Sequence, residues 1–288
     1  MKLSNDHQHL NDLALNDPTA HYNRVTRAWG FLLGENLHYG YFGPDGDTLT
    51  SATESLSNKM TELAQLQAGH RVLDVGCGTG NPACMMAQDY AASVIGISPS
   101  KICVEQARDR ALSRTLTGQV EFIMGDGALM CFTEQSFDCV WIMESSHLIP
   151  DKQSLIKEAC RVLKPGGRLV LCDIILHQTL ALETVIQYRD EFLLLRDAFG
   201  RARMATMEFY NDQFACNKMS VLHSENISFQ TQPTFSCWRE NAYIHKDKVI
   251  KLIGEEGWNQ FVESCDVLEK FWAEQILGYG IIAAIKPD

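Results

Sequence analysis

The sequence predicts an α/β protein: an open, doubly wound sheet of seven mostly parallel strands, with helices on both faces and further helical insertions. Three observations predict it. From about residue 70, short β-branched and aromatic runs alternate with amphipathic stretches of helical spacing. A glycine-rich turn joins the first such run to the first helix, and the segments on either side of this region lack the alternation.

Residues 1–69 carry aromatics among turn signals, notably Tyr22, Trp29, His38, Tyr39, Tyr41 and Phe42, and end in a helix expected over 53–66. They read as a helical appendage to the sheet. The core spans 70–176. Strands are expected at 71–75, 93–97, 120–124, 137–143 and 168–175, where Val, Ile and aromatic residues cluster. Between them, 83–90, 101–116 and 152–163 have helical spacing, and Lys164-Pro165-Gly166-Gly167 closes the last as a turn. Residues 177–288 read mainly as helices rich in Met, Phe, Leu and Trp, with the last two strands placed at 227–235 and 280–286. Additions of this kind cover the carboxyl edge of a sheet, where open α/β folds bind ligands. The three segments are expected to form one compact unit.

At 288 residues, 45% hydrophobic and 21% charged, the chain has the make-up of a globular protein with ample core. Its 25 Lys and Arg against 36 Asp and Glu give a net charge of -11, which repels phosphate backbones and anionic head groups. A nucleic-acid partner is therefore not expected. The ten cysteines form no CxxC pair and no His-Cys cluster at zinc spacing, so no metal site is expected. Most lie in apolar runs such as FDCVWIM, where a thiol acts as a small core residue in a reducing compartment. No apolar run nears the roughly 20 residues of a membrane span. The start, MKLSNDHQHLND, has no apolar leader, and the expectation is a cytoplasmic protein, monomeric or homodimeric.

The sharpest feature is VLDVGCGTG, residues 72–80: a strand, Asp74, then Gly76, Gly78 and Gly80, then a helix opening at Pro82. Glycines permit a tight strand-to-helix turn with positive φ, and the free amides at the helix start can receive polar ligand atoms. Dinucleotide folds share such a loop, but here an acid stands two residues before the first glycine. A carboxylate there would repel a pyrophosphate and attract an ammonium group. The ligand is therefore expected to carry a cation.

Together with GISPS (96–100), GDGALM (125–130), FDCVWIMESSH (137–147) and LKPGGRLVLCD (163–173), this motif resembles motif I of the class I S-adenosylmethionine-dependent methyltransferases. The likeness covers about residues 20–180 well and the C-terminus loosely. It implies a Rossmann-like fold, S-adenosylmethionine as cofactor and S-adenosylhomocysteine as product. By that resemblance Gly76, Cys77 and Gly78 line the methionine part of the cofactor, and Asp74 supports its ammonium group. Asp126 accepts the adenine amino hydrogens, with the Gly127 amide nearby. Where the family usually places an acid for the ribose hydroxyls, this chain has Ser98, followed by Pro99. A hydroxyl lacks the charge-assisted strength of a carboxylate. The short GIS-x-S form resembles a subgroup acting on sugars, sterols, tocopherols and natural products. LHYGYF (37–42) resembles the aromatic lid of the same subgroup, implying that Tyr22, Trp29, His38 and Tyr39 close over the cationic sulfonium.

Methyl transfer chiefly needs alignment of donor and acceptor, and a base where the acceptor carries a proton. His147, just past the fourth strand, suits removal of a hydroxyl proton, and Asp173 at the tip of the fifth could orient it or act as the base itself. This predicts O-methylation of a natural-product or sugar hydroxyl. Glu144 offers an alternative: by resemblance to isoprenoid C-methyltransferases, it would take the proton lost after an alkene is methylated. An isoprenoid diphosphate acceptor would need a divalent metal and a basic pocket, for which Arg189, Arg196, Arg201 and Arg203 are candidates, as they are for a solvated helix face. Phe192, Phe199, Phe209, Tyr210, Phe214, Trp238, Trp258, Phe271 and Trp272 suffice for either an apolar acceptor pocket or an ordinary core, and most are expected to be core. Met204, Met207 and Met219 suggest an adaptable wall or plain packing. A reading from another class is a protein that binds the cofactor without catalysis.

Overall fold

RVLDV forms β1 (Arg71–Val75), paired in parallel with β2 (Ser93–Ser98) on one side and β4 (Phe137–Met143) on the other. This computed structural model describes residues 18–44 and 46–288, with side chains from Val25 onward. The core alternates as expected. α3 (Asn81–Tyr90), α4 (Lys101–Ser113) and α5 (Lys152–Val162) connect the parallel strands, and β3 (Val120–Met124) pairs outside β2. Local chemistry starts each helix. Pro82 stands in the first turn of α3, while Ser100 Oγ caps the Cys103 amide and Asp151 Oδ1 the Ser154 amide.

With β5 (Leu163–Leu176) parallel to β4, β8 (Leu277–Ile285) antiparallel to β5 and β7 (Ser220–Asn226) at the edge, the strand order is β3-β2-β1-β4-β5-β8-β7. The sequence order reverses between β1 and β4, and the crevice at their carboxyl ends is where such sheets bind ligands. Period-two alternation sorts side chains onto two cores. Cys139, Trp141 and Met143 of β4 face one, with Val72, Val170, Tyr279 and the lid helices; Val140 and Ile142 face the other, with Leu73, Leu171 and α5.

Two expectations are corrected, and one short strand is added. The Lys164–Gly167 stretch is no free turn: Leu163 already pairs with Phe137 and the Gly166 amide bonds Lys286 O at 2.8 Å, so β5 begins early. No strand forms at 227–235. Ser228–Thr231 is a helical turn (α9) and Thr234–Ile244 a helix (α10), while the missing strand is β7 (Ser220–Asn226), antiparallel to β8. β7 is an edge strand with one partner, so its polar side chains face solvent and leave no apolar run to read. A two-residue strand, β6 (Ala205–Thr206), pairs with the end of β5 and is too short to carry a pattern.

Of the remaining helices, α1 (Pro18–Leu32), α6 (Leu182–Gln187), α7 (Arg189–Phe199) and α11 (Lys246–Ala273) reach the cavity at the carboxyl edge, whereas α2 (Leu49–Ala64) packs on β5 and β8, and α8 (Met207–Cys216) on β6 and β7. α11 kinks at Gly254, where φ is 80°. No helix of the described residues is long and apolar enough to cross a membrane.

Candidate active site

A cavity of about 1220 Å³ opens at the switch point between β1 and β4. Trp29, His38, Tyr39, Asp74, Gly76, Cys77, Gly78, Ser98, Pro99, Asp126, Gly127, Glu144 and His147 all line it. Asp173 does not: it is wholly buried behind His147. Tyr22 lies on α1, with its side chain outside the described residues.

The glycine loop is held by backbone, and its glycines are required. Gly76 and Cys77 both donate to Ile97 O, at 2.9 and 3.1 Å, so the loop amides left for a ligand begin at Gly78. Gly76, Gly78 and Gly80 have φ of 81°, 51° and 79°. A Cβ on Gly76 would stand 2.2 Å from Ser145 Cβ, whereas one on Gly78 would meet open space where a ligand can approach. Behind this loop Asp74 is buried, and its Oδ2 has no hydrogen-bond partner. Burial raises its carboxyl to about 7. An acid desolvated to that extent fits a ligand that brings its own positive charge, as the cofactor's ammonium does.

Further along the cleft, Ser98 Oγ accepts the Ser100 amide at 3.2 Å and keeps its own proton to donate. Asp126, at the rim, folds Oδ1 back onto the Ala128 amide at 2.8 Å. Gly127 is sealed beneath it, where a Cβ would meet Val75 and Ile149 at 2.7 and 2.9 Å.

Past β4 a 3-10 turn (Ser146–Leu148) presents His147. Its Nδ1 lies 2.5 Å from Asp173 Oδ1. The Asp173 carboxylate also accepts the His147 amide at 3.0 Å, the Ile174 amide at 2.7 Å and the Ser146 hydroxyl, which Tyr210 Oη contacts in turn at 2.6 Å. Burial alone would raise Asp173, but the His147 charge and these hydrogen bonds outweigh it and hold the group below the usual carboxylate range. With Nδ1 committed, Nε2 is the ring nitrogen left for a substrate. The Arg203 amide fixes the His147 carbonyl at 2.7 Å, so the insertion after β5 also positions the histidine.

Glu144 plays a different part. One oxygen, Oε1, accepts the Tyr39 amide at 2.7 Å and the Tyr279 hydroxyl at 2.6 Å. The Tyr39 ring stacks with Trp272 at 5.7 Å and meets Trp238 edge-on at 4.8 Å. It therefore joins the N-terminal segment to α10 and α11. His38 is buried too, with Nδ1 2.9 Å from Tyr39 O, and burial lowers it to about 4.

Of the aromatics in the insertions, Phe192, Phe199 and Trp238 line the cavity and Phe209 a neighbouring pocket, whereas Tyr210, Phe214, Phe271 and Trp272 are core. The methionine wall reduces to Met204; Met207 fills the space above Gly280 and Met219 is buried elsewhere. Nor do the four arginines form one cluster: Arg196 and Arg201 line the cavity, Arg203 the neighbouring pocket, and Arg189 is exposed beside Asp190. Sequence reasoning gave Ser146, Tyr210 and Tyr279 no hydrogen-bonding role at the site. Ser146 adjoins His147 in ESSH, but the two tyrosines come from distant elements that no spacing links to the site.

The profile of the methyltransferase domain matches residues 73–171. The chain is 34% identical to 27-O-demethylrifamycin SV methyltransferase of Amycolatopsis mediterranei over 89% of its own length and 92% of that protein. It is 31% identical to methyltransferase GfsG of Streptomyces halstedii over 93% of each. Among solved structures, the [4+2]-cyclase SpnF superposes with a TM-score of 0.81 at 26% identity, covering 95% of this chain and 97% of that one. Identity at this level, running through the lids as well as the glycine loop, makes the chain a member of the class I S-adenosylmethionine-dependent methyltransferases.

Proposed function

We propose that the enzyme methylates a hydroxyl of a bulky, largely apolar natural product. The observation that carries this reading is the His147–Asp173 contact of 2.5 Å at the cavity wall. S-adenosylmethionine, when bound, supplies a methyl carbon on a positively charged sulfur, which leaves with the bonding pair as an oxygen attacks in line. The acceptor hydroxyl gives its proton to His147 Nε2. Asp173 holds the Nδ1–H, fixes the tautomer and steadies the imidazolium that forms.

Size and lining support a large acceptor. Ligand pockets usually measure about 300–1,000 Å³, and this cavity of about 1220 Å³ has room for cofactor and acceptor side by side. Phe192, Leu195, Phe199, Met204 and Trp238 give the half away from the glycine loop an apolar wall. The relative named for 27-O-demethylrifamycin SV supports oxygen as the target atom. Glu144 is less suited to be a base, because burial raises its carboxyl to about 8, so it is mainly protonated at pH 7, while Oε1 already holds two donors.

A second reading, cofactor binding without methyl transfer, is favoured by the likeness to a [4+2]-cyclase over 95% of the chain. One experiment separates the two. The protein is incubated with S-adenosylmethionine bearing a deuterated methyl and a panel of hydroxylated polyketides and terpenoids, then read by mass spectrometry. Label on an acceptor oxygen is expected. Cofactor binding with no labelled product from any acceptor would overturn the proposal in favour of the second reading.

A further inference from the structure

Beside the main cavity lies a smaller pocket of about 440 Å³, which shares Pro150, Asp151, Leu176 and Met204 with it. Its wall brings together two cations from separate segments: Lys152, the first residue of α5, and Arg203, two residues before β6. Lys152 is only 6% exposed, and its ammonium donates to Ile149 O at 3.1 Å. Among the described residues neither cation forms an ion pair. The nearby carboxylates are committed elsewhere. Asp151 accepts the Ser154 amide and hydroxyl at 2.9 and 2.7 Å, and Asp173 is ringed by His147, Ser146 and Ile174.

A buried ammonium without a counter-ion is costly, and a chain with a net charge of -11 has no shortage of acids to supply one. Burial lowers Lys152 to about 8; Asp173 pulls it up and the Arg203 charge pushes it down again. Thr179 and Gln153 add hydrogen-bonding groups to the same wall. We infer that this pocket is an oxyanion site, taking a carboxylate or phosphate group between Lys152 and Arg203. The Arg203 amide also holds the His147 carbonyl, so an anion seated here lies next to the reacting end of the main cavity. The chemistry of recognition is the same whether the group belongs to the acceptor or is a free anion. Only the first source rests on the methyl-transfer reading.

The test is calorimetric titration of the whole chain, loaded with S-adenosylhomocysteine, with inorganic phosphate. Saturable binding is expected, weakened about tenfold or more in Lys152→Met and in Arg203→Gln, each of which removes a charge-assisted contact. S-adenosylhomocysteine affinity should stay within about twofold, showing that both variants fold. Arg203 is exposed, so its variant carries the test if Lys152→Met does not fold. No saturable phosphate binding, or wild-type affinity in both variants, would overturn the inference. A kinetic arm identifies the source: phosphate that raises KM for an acceptor at constant kcat marks a group borne by the acceptor, and unchanged KM marks a free anion. Absence of any methyl transfer would end the proposed function while leaving the calorimetric result to stand or fall alone.

Discussion

The hydroxyl of Tyr279, on the last strand, donates to Glu144 Oε1 at 2.6 Å, and the same oxygen accepts the Tyr39 amide from the N-terminal segment. One carboxyl group thus ties both ends of the chain to the tip of β4. Glu144 holds this position in the left-handed region, with φ of 48°. Burial raises it to about 8, against the hydrogen bonds that lower it. It is mainly neutral at pH 7, and holds both donors without the cost of a buried charge.

Replacing Glu144 tests that tie. Glu144→Gln keeps an uncharged acceptor oxygen and should cost less than about 1 kcal/mol, whereas Glu144→Ala strands two buried donors and should cost about 2–4 kcal/mol. Urea unfolding measures both. Methyl transfer by Glu144→Gln should persist, and its loss would restore Glu144 as a base.

Stability of the unliganded protein should fall as pH rises from 6.5 to 8. Asp74 and Glu144 keep protons to about 7 and about 8 when folded, against ordinary values of 3.8 and 4.5. The unfolded chain therefore binds fewer protons in that window, and the slope of stability with pH is negative. His38 has the opposite sign, being lowered from 6.5 to about 4, but its effect is complete below pH 6.5. The net fall is about 2 kcal/mol by chemical denaturation.

Cofactor binding should be linked to the proton on Asp74. If the ammonium group pairs with the ionised acid, S-adenosylhomocysteine binding releases a proton near pH 6 and none at pH 8.5. Calorimetry in two buffers of different ionisation enthalpy reads this directly. Asp74→Asn should weaken binding about tenfold or more and abolish the proton release.

Gly76→Ala should eliminate cofactor binding. The new methyl would sit 2.2 Å from Ser145 Cβ, in a residue whose φ is 81°. Either the β4 tip moves or the loop does, and Ser145 Oγ is itself bound to Val75 O at 2.5 Å. Gly78→Ala has space for the methyl but the same backbone strain, and should retain a stable fold while blocking the ligand. Thermal unfolding with and without S-adenosylhomocysteine separates the two.

The cofactor half of the site was legible in the sequence because backbone geometry dictates it. Gly76 and Gly78 announce positive φ, and a strand followed by them places Asp74 without reference to the rest of the chain. β1, β2 and β4 were readable for a related reason: largely buried on both faces, they are nearly continuous apolar runs, and β3 at the edge still carries Val120, Phe122, Ile123 and Met124. β7 escaped because five of its seven residues, SVLHSEN, are polar. The acceptor half was hidden because Tyr210, Tyr279 and Trp238 reach the site from helices and a strand up to 135 residues from Glu144, through hydrogen bonds and packing that no sequence spacing marks. His147 and Asp173 were each visible, as was the option that the acid orients the imidazole; the burial of Asp173 behind His147 was not.

The central claim is that His147, oriented by Asp173, takes the acceptor proton. The measurement is kcat of His147→Ala against wild type on an acceptor found by the labelled screen, with S-adenosylhomocysteine affinity measured alongside. A fall in kcat of about 10²–10⁴, with unchanged affinity and partial recovery at high pH where the hydroxyl ionises unaided, is the predicted result. A kcat within threefold of wild type across that pH range would contradict the account.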